Sequence, residues 1–135
     1  MAALTAARPT GRRLDQVGRY DMGTGTIYAG SLVSLNSSGY AVASSDTASE
    51  QFIGIAMETV TATANASHKI DVWRGAFECN SVETESVATL GAMRYVSDDN
   101  TVGAVGTTTN DIPVGEVIEI ISTSRVWIRP YRKVS

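Results

Sequence analysis

The sequence predicts an all-β protein, and three observations support that class. From residue 27 onward the apolar runs are short, rich in β-branched residues, and separated by glycine, serine, asparagine and aspartate. Helical periodicity is scarce along the chain. The 135 residues, of which 43% are hydrophobic, suffice for one domain that buries its own core. A small β-barrel or β-sandwich is therefore expected.

Eight strands are predicted, each bounded by turn-forming residues. In chain order they span residues 31–35, 40–44, 51–58, 69–74, 76–82, 93–97, 116–122 and 125–131. The segments "NSSG" and "SDDN" are typical of hairpin turns, because asparagine, aspartate and glycine tolerate left-handed backbone conformations. Residues 83–90 are expected to form a short helix or a loop.

Comparison of the chain with itself indicates an internal duplication. A shift of 61 residues places Gly30 on Gly91 and Gly54 on Gly115. The matched segments are 30–39 with 91–100, 53–60 with 114–121 and, after a shortening of five residues, 69–74 with 125–130. Because one half is too small to bury its apolar face, the two halves are expected to pair into one barrel or sandwich. Chance similarity among short β-rich segments is the alternative.

The charge distribution suggests an acidic body with basic ends. The net charge of −3 divides into +2 for residues 1–25 (four arginines, two aspartates), +4 for residues 125–135, and −9 for the middle, where three cations face twelve carboxylates. We interpret residues 1–25 as an extended N-terminal arm and residues 26–135 as one β domain, with half-repeats at about 29–74 and 90–130. Basic ends predict contact with an acidic protein or nucleic acid surface, although they are also typical of solvated tails.

The segment "HKIDVWRGAFEC" holds the only histidine and the only cysteine, but its pattern indicates a strand rather than an active site. Alternation places His68 and Asp71 on opposite faces, so Asp71 does not orient the imidazole as a triad acid would. After Gly75 the apolar parity changes, and Phe77 and Cys79 become the inward pair. We expect Cys79 to be a small buried apolar residue with an ordinary or raised pKa, and His68 to be exposed.

No other segment predicts a catalytic, cofactor or metal site, so an enzyme is not expected. "MGTGTIYAG" (22–30) is followed by neither a lysine nor a helix, and we interpret it as a hinge rather than a phosphate loop. "SDDN" lacks the further ligands of a calcium loop, and one histidine with one cysteine does not make a usual zinc set. Adjacent Asp98 and Asp99 are unsuited to paired acid–base work. The apolar runs are too short to span a membrane.

Five segments in fixed order carry a family resemblance: "AGSLVSL", "FIGIAME", "IDVWRGAFE", "LGAMRYVS" and "VGEVIEI". A small, internally duplicated β domain with these segments resembles the phage capsid cement, or head decoration, proteins over about residues 26–130. No single motif is diagnostic; the order and the size carry the resemblance. The chain departs from the family's pattern in its longer, more basic segment 1–25 and in its basic tail 125–135.

The resemblance implies a β-tulip or jelly-roll-like barrel that binds the outer surface of an expanded phage head. Such proteins form trimers at three-fold and quasi-three-fold positions, contact the major capsid protein, and stabilise the shell against internal DNA pressure. Expected capsid contacts in the arm are Arg8, Arg12, Arg13, Leu14, Arg19 and Tyr20. The resemblance implies a virion location after synthesis in the host cytoplasm, with no cofactor, no membrane and no direct nucleic acid contact.

Two alternatives remain at this point. A nucleic-acid-binding β-barrel would use the basic ends, with Trp127 and Tyr131 beside Arg125, Arg129 and Arg132 stacking on bases. Another head or tail structural subunit would have the same composition. A small hydrolase is disfavoured, because the sequence offers no paired acids, metal ligands or activated nucleophile.

Overall fold

The computed structural model describes residues 16–131, and these residues are mostly β-strand, which confirms the all-β prediction. The elements are β1 (Val17–Asp21), β2 (Gly25–Ile27), β3 (Leu32–Leu35), β4 (Ala41–Ala43), β5 (Gln51–Ala56), β6 (Val60–Ala62), β7 (Lys69–Trp73), β8 (Phe77–Ser81), the 3₁₀-helix η1 (Val87–Thr89), β9 (Met93–Val96), β10 (Thr101–Gly103), β11 (Pro113–Ser122) and β12 (Arg125–Pro130). Each predicted strand has a counterpart. The pattern does not predict β1, β2, β6 and β10, because three to five residues give too little alternation to read.

The strands form two five-stranded units and a small ribbon. The first unit, which we call the first sheet, has the order β1-β7-β5-β3-β4. The second unit, the second barrel, closes in the order β10-β8-β12-β11-β9, with β8 and β10 parallel. Strands β2 and β6 form a separate antiparallel ribbon. Met22 and Ala41 form one parallel bridge between the ends of β1 and β4, so the first sheet is also nearly closed.

The two units repeat each other strand for strand. If β1, β7, β5, β3 and β4 are replaced by β8, β12, β11, β9 and β10, the strand order of the first sheet becomes that of the second barrel. Pairing registers agree as well: Val33 opposes Gly54, and Arg94 opposes Gly115, each 61 residues further on. Both units carry a β-bulge immediately before that glycine. Agreement in order, register and bulge supports duplication over chance similarity.

Gly54 and Gly115 are required by a close backbone approach. A Cβ at Gly54 would overlap the carbonyl oxygen of Trp73, and a Cβ at Gly115 would overlap that of Arg129. Trp73 and Arg129 are 56 residues apart, the same offset that relates β7 to β12. The strands therefore pack so closely at both positions that only glycine fits.

Each half has its own core, so the expectation of one barrel shared by both halves is wrong. One cluster of buried side chains belongs to the first sheet and its ribbon: Met22, Ile27, Val33, Ala41, Ala56, Ala62, Ile70 and Val72. A second cluster fills the second barrel and extends to Leu32 and Phe52 of the first half. The Phe52 and Phe77 rings lie 5.7 Å apart across this junction. Near closure of five strands, with a ribbon over one end, encloses enough apolar surface for each half.

A second contact joins the halves through Asp46. Its carboxylate accepts hydrogen bonds from the backbone N–H groups of Thr109 (2.6 Å) and Asn110 (2.8 Å). The amide of Asn110 also donates to the Asp46 carbonyl at 2.8 Å. The two backbone donors, Thr109 first, hold the pKa of Asp46 below its ordinary value.

The structure places the start of the β domain at Val17 rather than at residue 26. Strand β1 pairs antiparallel with β7 along its whole length, from Val17 opposite Trp73 to Asp21 opposite Lys69. The sequence "VGRYD" does not look like a strand, because it has two charges and only one β-branched residue. Cross-strand ion pairs compensate: Arg19 with Asp71 at 3.1 Å, and Lys69 with Asp21 at 2.6 Å. Arg19 and Tyr20 therefore belong to the sheet.

Candidate interaction surfaces

Cys79 and His68 do not form a reactive pair. Cys79 lies in the second core, and burial raises the pKa of its thiol to about 12. At neutral pH it is a thiol rather than a thiolate, as the strand interpretation predicts. His68 is exposed, and its Nδ1 lies 3.1 Å from the hydroxyl of Ser67.

The glycine-rich segment 22–30 is part of the fold rather than a hinge. Met22 is fully buried, and β2 pairs with β6 through Thr26 and Thr61, whose hydroxyls are 2.8 Å apart. The hinge interpretation is therefore wrong. Its alternating Thr-Ile pattern was masked by the surrounding glycines, which dominate the composition of the segment.

In the turn "SDDN" the Asp98 carboxylate accepts from the backbone N–H groups of Asn100 and Thr101, both at 2.8 Å. This is the geometry of a carboxylate-capped turn. Within residues 16–131, no group of three histidine, cysteine, aspartate or glutamate side chains could hold a metal ion. No helix in this part of the chain is long and apolar enough to cross a membrane.

A buried ion pair between Glu85 and Arg94 is the strongest electrostatic feature of the second barrel. Arg94 donates through Nε (2.8 Å) and a terminal nitrogen (2.6 Å), and Ser81 adds a hydrogen bond of 2.7 Å to the same carboxylate. Both charged side chains are almost inaccessible, at 0% and 6% exposure. The bidentate geometry fixes the 82–90 loop to the barrel.

The hydrogen bonds decide the protonation state of this pair. Burial alone would raise the pKa of Glu85, but hydrogen bonds from Arg94 and Ser81 outweigh it, and the pKa lies below its ordinary value. The Glu85 partner raises the pKa of Arg94, more than burial lowers it. Because the described residues leave no buried side-chain polar atom without a partner, we assign this pair a structural role. One signal was available in the sequence: the 61-residue shift puts Arg94 on the inward position of Val33.

Two of the six expected capsid contacts fall within the described residues. Arg19 is exposed, with 62% of its side chain accessible, and pairs with Asp71 on the outer side of β1–β7. Tyr20 is half-buried and packs against the first core, so it supports the sheet more than it offers a contact surface. The remaining four, Arg8, Arg12, Arg13 and Leu14, lie outside the described residues.

The arginines near the C-terminal end are already engaged. Arg125 pairs with Glu78 at 3.2 Å and donates to Asn80 at 2.7 Å. Arg129 pairs with Glu116 at 3.0 Å. Residues 16–131 together carry six cations and thirteen carboxylates, a net charge of −7. A nucleic acid surface on this body would therefore have to be built against a negative field.

A cleft of about 270 Å³ lies at the junction of the halves. Its lining residues are Glu50, Gln51, Phe52, Ile112, Pro113 and Tyr131. Gln51 and Phe52 occupy positions equivalent to Ile112 and Pro113 at the 61-residue shift. The cleft is therefore a product of the duplication, in which two equivalent strand starts face each other.

Comparison with protein-family models and with curated proteins returns no match to this chain.

Proposed function

We propose that the protein is a capsid decoration protein that binds the outer surface of an expanded phage head. It would act as a trimer at three-fold and quasi-three-fold positions, contact the major capsid protein, and stabilise the shell against internal DNA pressure. The observation that carries the proposal is the ordered set of five segments that resemble head decoration proteins, distributed over a duplicated all-β body.

The distribution of charge supports a contact made by the chain's N-terminal segment. Residues 1–15 carry three arginines and one aspartate, whereas the body that follows carries −7. Arg8, Arg12 and Arg13 would meet acidic surface on the shell, and exposed Arg19 continues this basic line onto β1. A symmetric trimer repeats each weak contact three times, so modest local affinities add up.

The geometry of the described residues is compatible with a role that needs no chemistry. The cysteine is a buried thiol, and the strongest charged pair is fully satisfied inside the barrel. What the body offers is a rigid pair of β units with many cross-strand bonds. Such a body suits a protein whose work is to hold neighbouring subunits together.

The test is a sedimentation assay with empty expanded heads and with unexpanded proheads of the source phage. The full chain is compared with a chain lacking residues 1–15, which removes no described residue. Arg19→Ser is compared with Lys69→Ser, because both remove one exposed cation of a β1–β7 ion pair. We expect saturable binding to expanded heads only, weakened by the truncation and by Arg19→Ser but not by Lys69→Ser.

Absence of binding to either form of the shell would overturn the proposal. In that case the basic ends favour the nucleic-acid-binding alternative. That function predicts an affinity that falls by about 0.7–0.9 log units per neutralised phosphate for each log unit of salt. Titration of the same chain with single- and double-stranded DNA at two salt concentrations would measure this slope. Another head or tail subunit would instead bind a different assembly intermediate.

A further inference from the structure

Four exposed apolar side chains lie on one side of the second barrel, and we call them the hairpin patch: Val87, Leu90, Ile118 and Ile121. Their exposed fractions are 80%, 47%, 37% and 45%. Two come from the η1 segment and two from the far end of β11, where bulges interrupt the pairing with β12. Single exposed apolar residues are ordinary, but a contiguous group marks an interaction surface.

Backbone hydrogen bonds make these four residues neighbours. Glu85 N donates to the carbonyl of Thr123, and Gly91 N donates to that of Val117, both at 2.8 Å. These bonds lay residues 85–91 antiparallel along residues 117–123. The register that they fix sets the two apolar residues of the η1 segment opposite the two isoleucines of β11.

The first half of the molecule covers the equivalent position with its own chain. There the ribbon pairs Ile27 with Val60, Ile27 is 2% exposed, and both pack with the first core. The 61-residue shift takes Val60 to Ile121. In the second half, η1 replaces the ribbon strand, so the same edge keeps its apolar residues but lacks a covering strand among the described residues.

The charge around the hairpin patch selects a basic occupant. Residues 76–131 carry eight carboxylates and three arginines, a net charge of −5, and each arginine is paired with a glutamate of the same half. Glu83 and Glu119 flank the patch in sequence. Two such patches would repel each other face to face. A segment that carries both apolar and cationic side chains is complementary.

We propose that residues 1–15 of a neighbouring copy occupy the hairpin patch. This segment carries Arg8, Arg12 and Arg13 against Asp15, a net charge of +2, together with Leu4 and Leu14. Fully extended it spans about 50 Å, enough to bridge two domains of this size. A contact from the arm of one copy to the patch of the next is head-to-tail, so it closes into a ring. The contact does not depend on a capsid.

Intermolecular paramagnetic broadening tests the contact directly. Cys79 is buried with a pKa of about 12, so a cysteine introduced by Ala7→Cys is the reactive site for a spin label. Spin-labelled chain at natural isotope abundance is mixed with unlabelled ¹⁵N chain. We expect broadening of the amide signals of the hairpin patch in the ¹⁵N chain, where only a neighbouring copy carries the label.

The duplication supplies a matched control. Glu119→Lys should weaken association about two- to fivefold, as expected for an exposed charge contact, whereas Glu58→Lys makes the same charge change at the equivalent exposed position of the first half and should leave it unchanged. No patch broadening in the mixed sample would overturn the proposal. Broadening seen only when label and isotope share one chain would assign the patch to that chain's own arm and also refute it. Equal effects of the two lysine substitutions would remove the charge argument.

Discussion

Replacing Gly54 or Gly115 by alanine should destabilise the protein severely and to a similar extent. In each case the added Cβ overlaps a backbone carbonyl oxygen of the strand opposite, and a side-chain methyl of Val72 or Ile128 lies only 2.7 Å away. A side chain could rotate out of the way, but a carbonyl within a ladder cannot. The strands must therefore separate locally and lengthen their hydrogen bonds.

The expected cost follows from this geometry. Overpacking a well-packed site costs about 1–3 kcal/mol, and a clash with a fixed backbone atom belongs at the upper end, about 3 kcal/mol. For a chain of this length that corresponds to a fall in melting temperature of roughly 10 °C. Gly39→Ala is the control, because its Cβ would meet nothing within 4 Å and only its positive φ of 86° opposes the change, at about 1 kcal/mol.

Chemical denaturation of the three alanine variants measures these differences. We expect both strand variants to lose about 2 kcal/mol more free energy of unfolding than Gly39→Ala. If Gly54→Ala and Gly115→Ala match the control, the close approach is not a constraint and the reasoning from backbone overlap is refuted. If only one of them is severe, the structural equivalence of the two positions fails.

Two further predictions concern the buried ion pair and the position of β1. Glu85→Gln should cost about 3–5 kcal/mol at pH 7, because it leaves the Arg94 charge buried without its partner, whereas Glu58→Gln on the surface should be nearly neutral. Since the folded-state pKa of Glu85 lies below its ordinary 4.5, its stabilisation is present above that pH and is lost as the pH falls, so unfolding free energies measured from pH 7 to pH 3 should decline less steeply in Glu85→Gln than in the wild type. Deleting residues 1–15 should leave thermal unfolding unchanged, but deleting residues 1–25 removes β1 with its backbone ladder and should lower the melting temperature sharply; equal melting temperatures would show that β1 is dispensable.

The sequence carries the repeated features of this fold well. Gly54 and Gly115 stand out because a backbone requirement leaves a visible letter at a fixed shift. The same holds for Cys79, whose place beside Phe77 on one face of a strand is enough to predict burial. These signals are local, and alternation along a single strand expresses them directly.

Features that depend on partners distant in sequence are harder to predict. Strand β1 is stabilised by pairing with β7, about 50 residues away, and its own composition hardly favours a strand. Closure of each half on itself depends on strand order, which periodicity does not contain. The buried pair of Glu85 and Arg94 is hidden for a similar reason: a charged residue in the sequence predicts exposure until its partner is known.

The self-contained pairing of each half has a consequence for synthesis. Every strand of the first sheet finds its partners between Val17 and Trp73, and every strand of the second barrel finds its partners between Phe77 and Pro130. No ladder crosses Gly75 in the described residues. The first half can therefore complete its hydrogen bonds on the ribosome before the second half has been translated. The emerging chain then exposes mainly the Leu32 and Phe52 face, which waits for the second core to cover it.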